Sequence, residues 1–150
     1  CDWNEMPCAE RNKLRLLRYI KAEFKTETSY ILEQTKKQLD EYFTGNRKTF
    51  DIPLHPVGTD FQKKVWNALL DIPYGETRSY KEIAISMGTP NSTRAVAGAI
   101  GSNGISILIP CHRVIGSNHS LTGFAGGLAT KRFLLELEAE QKQHKMLIFK

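Results

Sequence analysis

Apolar side chains in this sequence recur mostly at intervals of three and four, the spacing of one helix face, and only briefly form unbroken runs. Leu14, Leu17, Ile20 or Lys21, and Phe24, set among Arg and Lys, predict a basic amphipathic helix over residues 12–24. Ser29 caps a second helix ending at Phe43, with Ile31, Thr35, Leu39, Tyr42 and Phe43 on one side and Gly45 as its stop. Residues 1–10 show no period and read as the end of something larger. Residues 46–58 are polar and broken by Pro53 and Pro56, so they read as a linker. A boundary falls there, between a partial N-terminal domain with its linker, 1–57, and a second domain, 58–150.

Beyond the linker, Phe61, Val65, Trp66, Leu69 and Leu70 mark a helix over 59–71, and Tyr74-Gly75 a turn. Thr77 or Ser79 begins the next helix, with Ile83, Ala84 and Met87 inward, and Gly88-Thr89-Pro90 turns the chain. Asn91 or Thr89 caps a third helix reaching Gly101, which gives the spacing of a helix-turn-helix. Its side chains are small, from Ser92 and Thr93 to Ala95, Ala97 and Ala99. Such a helix can enter a narrow minor groove, or pack closely on a neighbouring helix, and the pattern alone leaves both open. Residues 105–109 and 113–115 read as short strands, with 116–119 as a hairpin turn or wing. A glycine-rich stretch, 123–127, lets backbone amides approach a ligand. A last helix follows over 128–141, with Leu128, Phe133 or Leu134, Leu135, and Leu137 or Glu138 inward.

The run from Ile107 to Ile115 is apolar except where Pro110, Cys111, His112 and Arg113 interrupt it. A thiol sheltered from bulk water is nucleophilic only as the thiolate, so it needs a base and a positive field. His112 can supply the base and Arg113 the field. An isolated cysteine in an apolar setting is also an ordinary small hydrophobe.

This stretch resembles the active-site loop of the 6-O-alkylguanine-DNA alkyltransferases, and the resemblance extends from Phe61 to Glu138, over half the chain. It is carried by Phe61-Gln62-Lys63-Lys64-Val65-Trp66, Ile72-Pro73-Tyr74-Gly75-Glu76-Thr77, Ser79-Tyr80, Arg94-Ala95-Val96, Ser102-Asn103, the segment from Ile109 to Val114, and Gly126-Gly127-Leu128, in that order. The fold it implies is α/β in its α+β form: a mostly helical, winged helix-turn-helix-like alkyltransferase domain after a truncated or reduced N-terminal domain. The family carries a sheet in that first domain, and no alternating strands are readable in residues 1–45.

The resemblance implies a division of roles. Cys111 takes the alkyl group, His112 removes the thiol proton through water, and Glu138, eleven residues after Gly127, orients His112. Glu136 and Glu140 are nearby competitors for that place. Tyr80 donates to ring nitrogen 3 of the departing guanine, and Asn103 holds the recognition helix against the active-site loop. Arg94 enters the duplex as the base is extruded, with Ser92, Thr93, Ala95 and Ala97 along the minor groove and Lys63, Lys64, Arg78 and Lys81 as phosphate partners. Backbone carbonyls of Val114 and Cys111 meet the guanine amine, and residues 123–126, including Phe124, Ala125 and Gly126, close the pocket. Phe124 stands where relatives have tyrosine and Ala125 where they have serine, which leaves the preferred alkyl group open; 4-O-alkylthymine is a further substrate class. The thioether product has no carbonyl for water to attack, so each molecule acts once.

Composition narrows this further. A net charge of +5 over 150 residues permits a polyanionic partner, and the resemblance implies double-stranded DNA containing alkylated guanine. Three cysteines without paired spacing favour a reducing compartment, cytoplasmic or nuclear, and no long apolar span or basic-then-apolar leader is visible, so no membrane partner is expected. No cofactor is implied, and no metal: Cys1, Cys8 and His55 are scattered candidates without ligand spacing. His119 and His144 lack a motif and read as ordinary surface residues. The chain is expected to act as a monomer. Two other classes stay open: a helix-turn-helix protein that binds alkyl lesions or regulates without transfer, and a thiol hydrolase built on Cys111, His112 and Glu138.

Overall fold

The computed structural model describes the backbone of residues 7–21, 23 and 25–148, and the side chains of 10–21, 23 and 25–142. Six helices lie in the order α1 Pro7–Tyr19, α2 Tyr30–Phe43, α3 Asp60–Leu70, α4 Tyr80–Ser86, α5 Thr93–Gly101 and α6 Leu128–Ile148. A short 3-10 turn, Cys111–Arg113, sits between α5 and α6. The sheet is two short strands, β1 Arg78–Ser79 and β2 Val114–Ile115, paired in parallel with Arg78 opposite Val114.

Local capping sets three helix starts. Ser29 accepts from the Leu32 amide at 3.3 Å. Thr59 with Gln62, and Ser79 with Glu82, each form a reciprocal capping box that satisfies two otherwise orphaned donors. Helix α5 differs: its N-cap is Ser92, without a side-chain cap bond, and neither Asn91 nor Thr89 takes that place. Gly88 ends the α4 turn at φ +74°, a conformation open to glycine at no steric cost.

The larger core joins α3, α4 and α5. Val65, Leu69, Ala84 and Val96 are fully buried, and Ile109, Cys111 and Val114 complete the same cluster from the segment between α5 and α6. Each valine or leucine among them stabilises the fold by about 1.5–3 kcal/mol when fully buried. Trp66 adds direction, its indole N–H donating to the Ala99 carbonyl at 2.8 Å and pinning α3 to α5. A smaller cluster gathers Tyr42 of α2, Ile107 and Leu134 of α6.

Several expectations from the apolar pattern are corrected. Helix α1 begins at Pro7, a residue suited to the first helical position, and ends at Tyr19. Its Leu14 and Leu17, and Ile20 just beyond it, are exposed, whereas Asn12 is buried; Phe24 lies outside the described residues. Ile31, Phe43 and Leu70 also face outward, as do Leu128 and Phe133 of α6. Of the inward alternatives on α6, Leu134 and Glu138 are the buried ones, and Lys131, which the pattern did not mark, joins them at a spacing of three and four. The apolar run 105–109 is not a strand but a turn with one isolated bridge, Ser106 to Ile109. Ile107 takes φ +72°, outside any strand conformation and strained for a β-branched residue, which breaks the run in its middle. The partner of Val114–Ile115 is therefore Arg78–Ser79 across a long crossover. The 116–119 turn closes on itself through His119 N–H to the Gly116 carbonyl at 2.9 Å, and among the described residues no strand returns from it.

Candidate active site

Cys111 opens the 3-10 turn behind Pro110, 7% exposed, and lines a cavity of about 440 Å3 together with Tyr80, Ala97, Asn103, Phe124 and Ala125. These come from α4, α5, the turn after α5 and the glycine-rich loop, so four separate segments converge on one thiol. Gly126 is not part of that lining. Helix α5 presents Ala97 and Gly101 to the cavity, while Arg94 and Ala95 are exposed and Ser92 and Thr93 half-buried near its start. Lys63, Lys64 and Lys81 are exposed on other elements, and Arg78 is tied to Glu76 at 3.0 Å.

Behind the thiol lies a buried charged network. His112 is fully buried, its Nε2 2.8 Å from Glu138 Oε1, while its Nδ1 carries no hydrogen bond. A carboxylate acceptor at Nε2 fixes the proton there and leaves Nδ1 as the basic nitrogen. Glu138 is saturated: Oε1 also accepts from the Tyr42 hydroxyl at 2.7 Å and Arg113 Nη2 at 3.0 Å, and Oε2 accepts from Arg113 Nε at 2.9 Å and the Gly75 amide at 3.1 Å. Gly75, at φ +76°, brings its backbone this close because a Cβ would stand 3.2 Å from the Glu138 carbonyl. Burial alone raises the Glu138 pKa, but hydrogen bonds from His112 and Arg113 outweigh it and hold the carboxyl down to about 2. Burial is also the main cause pushing the His112 pKa down, against the raising effect of Glu138. Neutral His112 beside ionised Glu138 is a base waiting for a proton. Glu136 and Glu140, the competing carboxylates, are exposed on α6.

Arg113 does not supply the field at the thiol. Its guanidinium is committed to Glu138 and, through Nη1 at 2.7 Å, to the Ile72 carbonyl. The cation acting on Cys111 is Lys131. Burial raises the thiol pKa, and Asn103 and the Lys131 charge oppose it. Lys131 is fully buried, donating to the carbonyls of Val114 and Thr122, and burial depresses its own pKa while Cys111 raises it. The Val114 carbonyl, expected to face guanine, thus already accepts from an ammonium. Nothing in the local sequence marks Lys131 except its place on the α6 stripe with Leu134 and Glu138, where a solvated lysine would not lie.

Two polar side chains complete the cavity. The Tyr80 hydroxyl meets the Thr122 carbonyl at 3.3 Å and the Thr122 hydroxyl at 3.2 Å. Asn103, buried just past α5, donates to the Ile109 carbonyl at 3.0 Å and accepts from the Ile105 amide at 2.9 Å, tying the helix end to the segment before Cys111. Lys131→Met is expected to move the pH dependence of Cys111 alkylation by iodoacetamide to higher pH, because the thiolate loses its nearby cation. Peptide mapping, which separates Cys111 from Cys1 and Cys8, reads this out; an unmoved profile would remove Lys131 from the account.

The chain as a whole is similar to known proteins. Residues 60–140 match the 6-O-methylguanine DNA methyltransferase DNA binding domain, and residues 2–56 match the ribonuclease-like domain of the same proteins. A methylated-DNA–protein-cysteine methyltransferase of Methanosarcina barkeri is 56% identical over 112 residues, covering 75% of this chain and 71% of the relative. The protein of the same name from Mycobacterium tuberculosis is 54% identical over 112 residues, covering 75% and 68%. Among solved structures, Mycobacterium tuberculosis OGT in complex with DNA superposes with a TM-score of 0.72 at 54% identity, over 73% of this chain and 68% of that one. The O6-methylguanine-DNA methyltransferase of Pyrococcus kodakaraensis gives 0.65 at 28% identity, over 87% and 74%. The chain belongs to the 6-O-methylguanine DNA methyltransferase family.

Proposed function

We propose that this chain repairs duplex DNA by moving an alkyl group from oxygen 6 of guanine onto its own Cys111, once and irreversibly. The observation that carries the reading is the meeting of Cys111 and Tyr80 in one cavity flanked by helix α5, with neutral His112, next to Cys111 in the 3-10 turn, hydrogen-bonded to ionised Glu138. In the transfer, the thiol proton passes to His112 Nδ1 through a water, Sγ bonds to the alkyl carbon, and the carbon–oxygen bond breaks with its electrons going to guanine. Glu138 balances the imidazolium, and the Lys131 charge favours the thiolate. Tyr80 donates a hydrogen bond to the departing base. The resulting thioether offers water no carbonyl, so the protein is consumed.

Arg94, Ser92, Thr93, Ala95 and Ala97 of the α5 region are assigned to the minor groove, with Arg94 filling the gap left by the flipped base. The pocket is closed by Phe124, Ala125 and Gly126 around the guanine, and Asn103 keeps helix and loop in register. We divide the chain at 57/58, with the active-site unit on the C-terminal side, and place its work in a compartment that holds DNA, cytoplasmic or nuclear. Among the described residues no helix is long and apolar enough to cross a membrane.

Intact-mass spectrometry after mixing with 6-O-methylguanine duplex tests the reading. A gain of one methyl group per chain, mapped to Cys111, supports it; binding without gain favours a lesion sensor, and turnover of an ester or amide favours a hydrolase. Arg94→Ala is expected to slow transfer from saturating duplex by about tenfold or more while leaving transfer from free 6-O-benzylguanine unchanged, since only the duplex has a vacated stack to stabilise at a few kcal/mol. Equal rates on saturating duplex would end the wedge role.

A further inference from the structure

We propose that Tyr42 is a positioning residue for the alkyl-transfer site: its phenol, supplied by the N-terminal segment, holds the Glu138 carboxylate and sets the strength of the His112–Glu138 hydrogen bond. Tyr42 lies on α2, fully buried, and its hydroxyl donates to Glu138 Oε1 at 2.7 Å across 96 positions of sequence. The ring needs no hydroxyl for its packing. It sits 5.4 Å from Phe43, 5.6 Å from Phe50 and 6.0 Å from Tyr74, ring centre to ring centre, an aromatic cluster that phenylalanine would fill equally well. A buried hydroxyl costs free energy unless it is paired, and this one is paired to the oxygen that His112 uses.

Glu138 Oε1 thus receives three donors, from Tyr42, His112 and Arg113. A carboxylate oxygen has about two lone-pair sites, so the three share its charge and each bond is weaker than it would be alone. The phenol competes with the imidazole. Without it, Glu138 would pull harder on the Nε2 proton and favour the imidazolium, so that over more of the acid range His112 would already hold a proton and could not take the one from the thiol. The charged and titratable groups facing this pair are Arg113 and Cys111 from the 3-10 turn, Lys131 from α6, and Tyr74 from the turn after α3. Burial and the Glu138 charge both raise the Tyr42 pKa, so the phenol remains a donor at every pH where the protein acts. The N-terminal segment therefore contributes to the chemistry as well as to the packing.

The kinetic half of this proposal rests on the alkyl-transfer reading; the hydrogen-bond half does not. Tyr42→Phe in the full chain removes the hydroxyl alone. Two quantities are measured: the His112 Nε2 proton resonance in protein carrying nitrogen-15 histidine, and single-turnover methyl uptake from 6-O-methylguanine duplex as a function of pH. The resonance should move downfield as the remaining bond tightens. The acid limb of the transfer profile should move to higher pH, with the rate on that limb falling about tenfold, the size expected for one hydrogen bond to a charged group. A ring-fluorinated tyrosine at position 42, a stronger donor of nearly the same shape, should shift both quantities the other way and keeps the test available should Tyr42→Phe fold poorly. A purely structural tyrosine would lower stability in Tyr42→Phe but leave the resonance and the limb in place. That outcome, or shifts in the same direction for both variants, overturns the proposal. Should the wild-type chain take up no methyl group, the transfer reading fails, and the resonance shifts still decide the hydrogen-bond claim.

Discussion

Cys111→Ser is expected to take up no methyl group from 6-O-methylguanine duplex while still binding it. The hydroxyl occupies nearly the volume of the thiol, so a side chain only 7% exposed in a packed cluster with Ile109 and Val114 is replaced without a cavity or an overlap. Reactivity is a different matter. Burial already holds the wild-type thiol above its ordinary pKa, against the lowering effects of Asn103, Lys131 and backbone hydrogen bonds. Neutral His112 can draw a proton from a thiol in that setting, but an alcohol lies many orders of magnitude further from ionisation. The elements proposed for lesion recognition, α5, Tyr80 and the loop that carries Phe124 and Ala125, are left unchanged. Duplex affinity measured by fluorescence anisotropy should stay close to that of the wild type, and intact mass should show no gain. Methyl uptake persisting at another cysteine would move the acceptor away from Cys111.

Much of the fold was legible because it is written in short-range chemistry. Ser29, Thr59 and Ser79 each announce a helix through an oxygen that reaches an amide three residues on. The α3 face, Val65, Trp66 and Leu69, follows from period alone. What failed was decided by distant groups. The run 105–109 looks like a strand until its backbone must pass Ile107 in a left-handed conformation and receive Asn103 at both ends. Helix α1 carries a convincing apolar stripe, yet Leu14 and Leu17 stay exposed and Arg15 lies over the Trp66 ring instead. At the site, Cys111 and His112 stand in the sequence as a pair, but their electrostatic partners do not. Lys131 becomes visible only when the carbonyls of Val114 and Thr122 are placed around its ammonium, and Tyr42 only when α2 is laid against α6. Arg113, adjacent to the pair and the obvious cation, is taken up by Glu138 and Ile72.

Sequence adjacency and electrostatic adjacency therefore separate cleanly here. At rest the network holds one carboxylate, one guanidinium and one ammonium, with the thiol and imidazole neutral. Proton transfer from Cys111 to His112 creates a thiolate near Lys131 and an imidazolium against Glu138, so each new charge forms beside a fixed opposite one. Oriented, pre-existing charges of this kind stabilise a transition state without rearranging when it forms.

Glu138→Gln tests that network at its centre, and its effect should appear in stability as well as rate. Glutamine keeps the shape and the bond to one or two donors, but it leaves the buried Arg113 without its counter-ion, a loss of about 3–5 kcal/mol for a broken buried pair. The pH dependence distinguishes this cause from simple misfit. The carboxyl is held at about 2 in the folded protein against an ordinary 4.5. A depressed folded-state pKa contributes stability that is fully present above 4.5 and is lost as the pH falls toward 2, here about 3 kcal/mol. Urea unfolding should show wild type well above Glu138→Gln at neutral pH, with the gap narrowing steadily below 4.5. Methyl transfer at neutral pH should fall by about a hundredfold or more, the range for a base that has lost its orienting charge. Glu136→Gln, two residues away on the exposed side of α6, should change neither quantity. Equal effects of the two substitutions, or a stability gap that does not depend on pH, would show that the charge of Glu138 is not what binds Arg113, His112 and Tyr42 into one unit.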